Sequence, residues 1–211
     1  MHVSTDRGFE LCKMYRQAGH ISSIETCIQY LMLNHEEHTR RFGARTKHYP
    51  PIRPKAETEK LWKHIANNDC TSVSSGHVSW GLERKENPNV FKNASGGPGL
   101  ETLLPAFWTG CQVRGISPSM VTRQLSSNPA RHFLLDGRKG SLNPGADADI
   151  VILKPDCYKY DPSNSPGVRL KGWSLPCGLR QRIVVEHWFL MGTKLPVHLV
   201  MVIFCGLMAK K

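Results

Sequence analysis

Apolar residues in the first two thirds of the chain recur at helical spacing, interrupted by short β-branched runs. From Asp6 to Ala18 the apolar positions are Phe9, Leu11, Cys12 and Tyr15, which predicts a surface helix closed by Gly19. His20 to Cys27 reads as a short strand. Glu57 to Asn67 reads as a helix with Leu61, Trp62 and Ile65 turned inward, and Cys70 to Ser75 as a buried strand. Tyr49-Pro50-Pro51-Ile52-Arg53-Pro54 must be an extended loop, because each proline fixes φ and turns the preceding residue away from helix. Beyond the glycine-rich stretch Gly96-Gly97-Pro98-Gly99, helices are expected over Leu100 to Gly115, Ser117 to Leu125 and Asn128 to Leu134.

The pattern changes after Gly137. Asp149 to Leu153 and Arg182 to His187 read as strands, with Gly and Pro between them. Helix–strand alternation followed by strands alone predicts two units: residues 1–137, resembling the end of an α/β barrel, and residues 138–194, a small β module. Residues 195–211 form an unassigned apolar tail. Its core, Leu199 to Ala209, is eleven residues long, short of the ~20 that span a bilayer, so no membrane association is expected. No internal repeat is visible.

With 211 residues, 40% hydrophobic and 21% charged, the composition is that of a globular protein. The formal net charge of +11 raises nucleic acid as a partner, but the basic residues are dispersed and the densest run, Arg40 to Lys47, holds only four. No nucleic-acid partner is expected. Seven cysteines without a Cys-x-x-Cys pair argue against a disulfide framework or a Cys-type zinc site, and suit buried thiols in a reducing compartment. The N-terminus shows no secretory leader pattern, and the expected location is cytoplasmic.

Four places carry candidate chemistry. His2 is a lone histidine, but at a strand end of a parallel barrel it would sit where functional groups collect and could ligate a metal. His77, in Ser74-Ser75-Gly76-His77, closes a strand in the same manner. The Gly96 to Gly99 turn exposes backbone N–H groups ahead of a helix, without the Lys-Ser/Thr of a phosphate loop. Asp147 and Asp149 alternate with Ala; they read either as a catalytic carboxylate pair or, preferably, as caps of the turn before a strand.

Taken in order, His2-Val3-Ser4, Glu25-Thr26-Cys27 with Tyr30-Leu31, Pro50-Pro51-Ile52-Arg53, Ser74-Ser75-Gly76-His77, Gly96 to Thr102, Asn128-Pro129-Ala130, Arg138 to Ser141 and Gly145 to Asp149 resemble the hydantoinase, dihydropyrimidinase, allantoinase and dihydroorotase group of the amidohydrolase superfamily. The resemblance runs from His2 to about Lys194. It implies a TIM (β/α)8 barrel carrying a two-metal centre, usually zinc, with a small β-sandwich, and hydrolysis of an amide bond in a cyclic amide or ureide. In such a centre the metals polarise the carbonyl and lower the pKa of a bridging water. His2 matches the metal-binding histidine of the sixth strand. Tyr49, His77 and Ser95 fall at substrate-binding positions, and Tyr49 and Ser95 replace the residues that relatives carry there.

The departures matter as much. The family's first-strand His-x-His pair, its bridging modified lysine and its fifth-strand histidine would all precede His2. The family's Asp-His of the eighth strand reads Gly76-His77, so no catalytic residue is intact. Glu83 lies in the following loop; Asp69 begins the same strand, roughly 23 Å from Gly76 at ~3.3 Å per residue. The chain is therefore expected to be inactive alone, with zinc not held stably. With only the last strands of a barrel it would need a companion chain or a second copy. The competing readings are a non-catalytic interaction or scaffold protein derived from the dihydropyrimidinase-like fold, and a truncated gene product.

Overall fold

The computed structural model describes residues 1–147, 149–158 and 181–189. The tail from residue 195 lies outside them, as does the Gly- and Pro-rich stretch 159–180. Helix α1 spans Asp6–Gln17, and Thr5 caps it by accepting the Gly8 N–H on its hydroxyl at 3.2 Å. Strand β1 (Glu25–Cys27) leads directly into the short helix α2 (Ile28–Met32). Tight turns through His35–Thr39, α3 (Arg40–Phe42) and Gly43–Thr46 follow, then the extended prolyl loop, with a cis Tyr49–Pro50 bond. Helix α4 (Lys55–Ala66) returns the chain to β2 (Ser72–Ser74).

The two strands are parallel, with Glu25 beside Ser72, Thr26 beside Val73 and Cys27 beside Ser74. Val3 lies against the other side of β1: its N–H reaches Glu25 O at 2.9 Å, and its carbonyl accepts the Thr26 hydroxyl at 2.7 Å. Three chain segments thus run side by side, with the helices packed behind them. The strands are shorter than their apolar runs suggested. His20 to Ile24 approaches β2 through single hydrogen bonds, such as Thr71 N to Ile24 O at 2.8 Å, without becoming strand.

Helix α4 buries the face its spacing predicted: Leu61, Trp62 and Ile65 are all at most 2% exposed. Trp62 donates its indole N–H to Leu31 O at 2.7 Å and stacks on Phe107 of α5 (Leu103–Val113) with ring centroids 5.7 Å apart. Gly110 of α5 faces that indole so closely that a Cβ would strike it, so the helix–helix approach depends on glycine at this position. Behind α5, Ser117 and Pro118 open α6 (Pro118–Thr122), and a wide turn over Arg123–Ser127 leads to α7 (Asn128–His132).

Helix α1 departs from its expected face. Phe9 is fully buried and Cys12 partly so, but Leu11 and Tyr15 are about half exposed. Only one edge of the helix meets α4, where Phe9 stacks on His64 at 4.6 Å. The His64 ring bridges Asp69, 2.7 Å from Nδ1, and Asp6, 3.0 Å from Nε2. Tyr15 instead stacks on His20 outside the core.

Strands β3 (Ile150–Tyr158) and β4 (Gln181–Phe189) form a separate antiparallel pair, Ile150 opposite Phe189 and Tyr158 opposite Gln181, with irregularities after Ile152 and Pro155. Both strand predictions hold, each longer than its apolar run. Val151 is 2% exposed and joins the same apolar cluster as Trp62 and Phe107. Among the described residues no helix is long and apolar enough to cross a membrane.

Candidate functional site

The polar groups gather where β1 and β2 end. A strand turns alternate side chains to the same face, so Glu25 and Cys27 both face His2, and Ser74, beside Cys27 in the ladder, joins them. His2 Nδ1 lies 3.0 Å from Glu25 Oε2 and 3.2 Å from Cys27 Sγ. Cys27 Sγ is 3.5 Å from Glu25 Oε1 and 3.4 Å from Ser74 Oγ. The His2 backbone N–H and the Ser74 hydroxyl also donate to the Glu25 carboxylate. Burial disfavours ionisation of Glu25, but the donors from Ser74 and His2 outweigh it and hold the carboxyl below its ordinary value. Burial pushes the Cys27 thiol up to about 12, with the Ser74 contact opposing and Glu25 reinforcing that rise. His2 adopts φ +58°, a conformation uncommon outside glycine, and this aims both its N–H and its ring at Glu25.

Gly76 lies two residues beyond β2, at φ +52°. A Cβ there would lie 2.9 Å from Cys27 Sγ and 3.2 Å from Gln29 Oε1. Gln29 is 5% exposed; its amide donates to Ser75 O, while its Oε1 has no partner among the described residues. The notch a strand-end carboxylate would use is therefore walled by a thiol and an amide oxygen. Neither nearby acid named from the sequence stands there. Glu83 is exposed and folds back over Gly81, and Asp69 is tied to Lys13 and His64 beside α1.

The loops around this notch are knitted together. His77 pairs with Gly97, and its Nδ1 accepts the N–H groups of Gly99 and Leu100 at 3.2 and 3.3 Å. Those N–H groups are therefore already engaged. Trp80 donates to Ser95 O at 2.8 Å, while the Ser95 hydroxyl is buried without a partner among the described residues. Lys47 O accepts from Gly96 N at 3.0 Å, which joins the segment ahead of the prolyl loop to the glycine turn. Lys85, 3% exposed, donates to the carbonyls of Lys47, Ala94 and Gly96. Tyr30 OH holds Pro50 O at 3.0 Å, and the Tyr49 ring is 66% exposed beside Lys47. Of the expected site residues, His2 stands in a polar cluster, His77 and Ser95 in the knitted loops, and Tyr49 at their outer surface.

Asp147 and Asp149 are both held in ion pairs. Asp147 pairs with Arg138 and Lys139 at 2.9 and 3.0 Å, Asp149 with Lys139, and Asp147 N–H bonds Arg138 O. They staple the turn ahead of β3, as the capping reading expects.

Sequence reasoning quoted Glu25 and Cys27 as part of a motif without assigning them a role, and it missed Gln29. The available signal was the period-2 placement of Glu25 and Cys27 just before a helix. Nothing along the chain showed that His2 would lie beside them.

Residues 102–203 match the amidohydrolase family profile. Allantoinase from Rubrobacter xylanophilus is 36% identical over 197 residues, which cover 88% of this chain and 43% of that protein. The solved structure of an L-hydantoinase (dihydropyrimidinase) from Arthrobacter aurescens superposes with a TM-score of 0.73 at 32% identity, covering 77% of this chain and 37% of the other. A dihydropyrimidinase from Brevibacillus agri gives 0.79 at 25% identity, covering 90% and 42%. The chain belongs to the amidohydrolase superfamily, and within it is similar to the cyclic amidases. It spans less than half the length of these relatives.

The family is metal-dependent, which makes the donor set at the strand ends the test of fit. Of the ligands the sequence resemblance implies, the described residues offer His2 alone, and Gly76 stands where that resemblance expects a carboxylate. These residues do not fit the two-metal centre.

Proposed function

We propose that this chain is a cyclic-amide hydrolase segment that retains the substrate-facing loops and does not perform the hydrolysis alone. On this reading, residues 1–137 are the sixth to eighth strand–helix units of a TIM barrel and residues 138–194 part of a β-sandwich. The carrying observation is Gly76, whose notch is walled by Cys27 and Gln29, so that no carboxylate stands at the proton-shuttle position. Loss of a general acid or base costs about 10²–10⁴ in rate, before any loss of water activation by metal. Tyr49, His77 and Ser95 would border the ring of a cyclic amide or ureide. Cys12, Cys27, Cys70 and Cys111 are free thiols, which suits a reducing, cytoplasmic setting.

Incubating the purified chain with hydantoin, dihydrouracil or allantoin and following ring opening tests the proposal. No turnover above buffer is expected; turnover of any of these by the chain alone refutes it.

A notch without a carboxylate equally favours a second reading, a non-catalytic interaction protein built on the dihydropyrimidinase-like fold. The half-exposed Leu11, Met14 and Tyr15 on α1 support a companion chain or a second copy on that side. Size-exclusion chromatography distinguishes the cases: a compact monomer counts against both the companion chain and the oligomer.

A further inference from the structure

We infer that His2, Glu25 and Cys27 form a single-ion site for a borderline transition metal such as Zn²⁺, with one sulfur, one nitrogen and one carboxylate ligand. The donor set differs from the two-metal centre implied by the family resemblance, with which it shares only His2. The inference holds whether or not the chain acts on cyclic amides.

Geometry carries it first. The His2, Glu25 and Cys27 donor atoms all lie within 4.8 Å of one another, with closest approaches of 3.0, 3.2 and 3.5 Å. Tetrahedral ligands at zinc bond lengths of about 2.0–2.3 Å stand roughly 3.3–3.6 Å apart, so small outward movements admit an ion. Two donors sit on one face of β1, which packing fixes, and the third is aimed at them by the positive φ of His2.

Chemistry carries it further. Zinc favours thiolate, imidazole and carboxylate together, whereas magnesium and calcium favour all-oxygen shells. On binding, the Cys27 thiol loses its proton to solvent and His2 presents the Nδ1 lone pair. One thiolate and one carboxylate then neutralise a divalent ion, so no net charge is left in this largely buried place.

A second, independent observation marks the open side. Gln29 is 95% buried by its 5% exposure, and its unpartnered Oε1 faces the Gly76 notch beside Cys27 Sγ. A water completing the metal's coordination in that notch would donate to Gln29 Oε1, which gives this oxygen the partner it lacks. The same notch is free because residue 76 has no side chain.

The test is metal titration of the full 211-residue chain after chelation, using Co²⁺ as a spectroscopic probe and Zn²⁺. The expected result is one equivalent bound, with a thiolate-to-cobalt charge-transfer band in the near ultraviolet and release of a proton. Cys27→Ser should remove the band, and His2→Ala should weaken binding more than about 100-fold. Gln29→Leu should weaken it about 10–100-fold, the usual effect of an outer-sphere partner. X-ray absorption on the zinc-loaded parent chain needs no variant, so it holds if a substitution prevents folding. It should show one sulfur at about 2.3 Å with nitrogen or oxygen at about 2.0 Å. Absence of binding, binding without the charge-transfer band, or a shell with no sulfur or more than one overturns the inference.

Discussion

Introducing a carboxylate at the notch by Gly76→Asp should not confer hydrolysis, and it should destabilise the protein. Residue 76 sits at φ +52°, where an L-residue pays roughly 1–2 kcal/mol, Asp at the lower end. Its Cβ would stand 2.9 Å from Cys27 Sγ and 3.3 Å from Cys27 Cβ, with the buried Gln29 Oε1 at 3.2 Å. Ordinary contact would need the thiol to retreat by over half an ångström, but Cys27 is 3% exposed and its backbone is held in the β1–β2 ladder. Overpacking of this kind costs typically about 1–3 kcal/mol. The sum is about 3 kcal/mol, which for a chain of this length lowers Tm by roughly 6–12 °C. Thermal unfolding by circular dichroism measures it, alongside hydantoin hydrolysis on the same sample. Pairing the change with Cys27→Ala removes the Sγ contact and should recover the packing part, leaving the backbone part, so the two substitutions should be non-additive. A Gly76→Asp protein within about 0.5 kcal/mol of the parent, or a double variant no more stable than Gly76→Asp, would refute the account of the notch.

Three further outcomes follow from the packing. Burial holds His48 neutral and brings its pKa from 6.5 to about 4. Below pH 6.5 the unfolded chain takes up a proton that the folded one refuses until about pH 4, so stability should fall across that window, by about 3 kcal/mol in full. Denaturant melts at pH 7, 5.5 and 4 should show a shallower decline for His48→Gln than for the parent, and equal declines would exclude the assignment. Lys85→Met leaves the carbonyls of Lys47, Ala94 and Gly96 without their shared donor. A loss of about 2–4 kcal/mol is expected, with faster amide exchange at Ala94 and Gly96, whose N–H groups bond Arg84 O and Lys47 O. Trp62→Ala should cost about 3–5 kcal/mol in chemical denaturation, since it empties the space between α4 and α5 and abandons Leu31 O.

Some of this protein was legible along the chain, because the information was local. Helix α4 and its buried face follow from residues three and four apart, and the prolyl loop from the stereochemistry of proline. The stapled turn before β3 follows from acidic residues at alternate positions facing Arg138 and Lys139. The glycine at the strand end was visible as a single letter, Gly76, where the resembling motif expects Asp. Leu11 and Tyr15 are the counterexample. Helical spacing marks them as a core face, but burial depends on whether another element arrives, and α4 meets only the edge carrying Phe9.

The sequence by itself therefore determined the superfamily and the order of the helices and of the β3 and β4 strands. Only the tertiary structure decided what surrounds Gly76. His2, Cys27 and Gly76 are far apart in the chain, and their meeting depends on the β1–β2 register and on Val3 lying against β1. Side-chain periodicity tells which residues of one strand share a face, but not which strand will face them. That choice comes from hydrogen-bond registry and from the packing of the helices behind, which bring His2 against Cys27 and set Cys27 and Gln29 around the notch at Gly76.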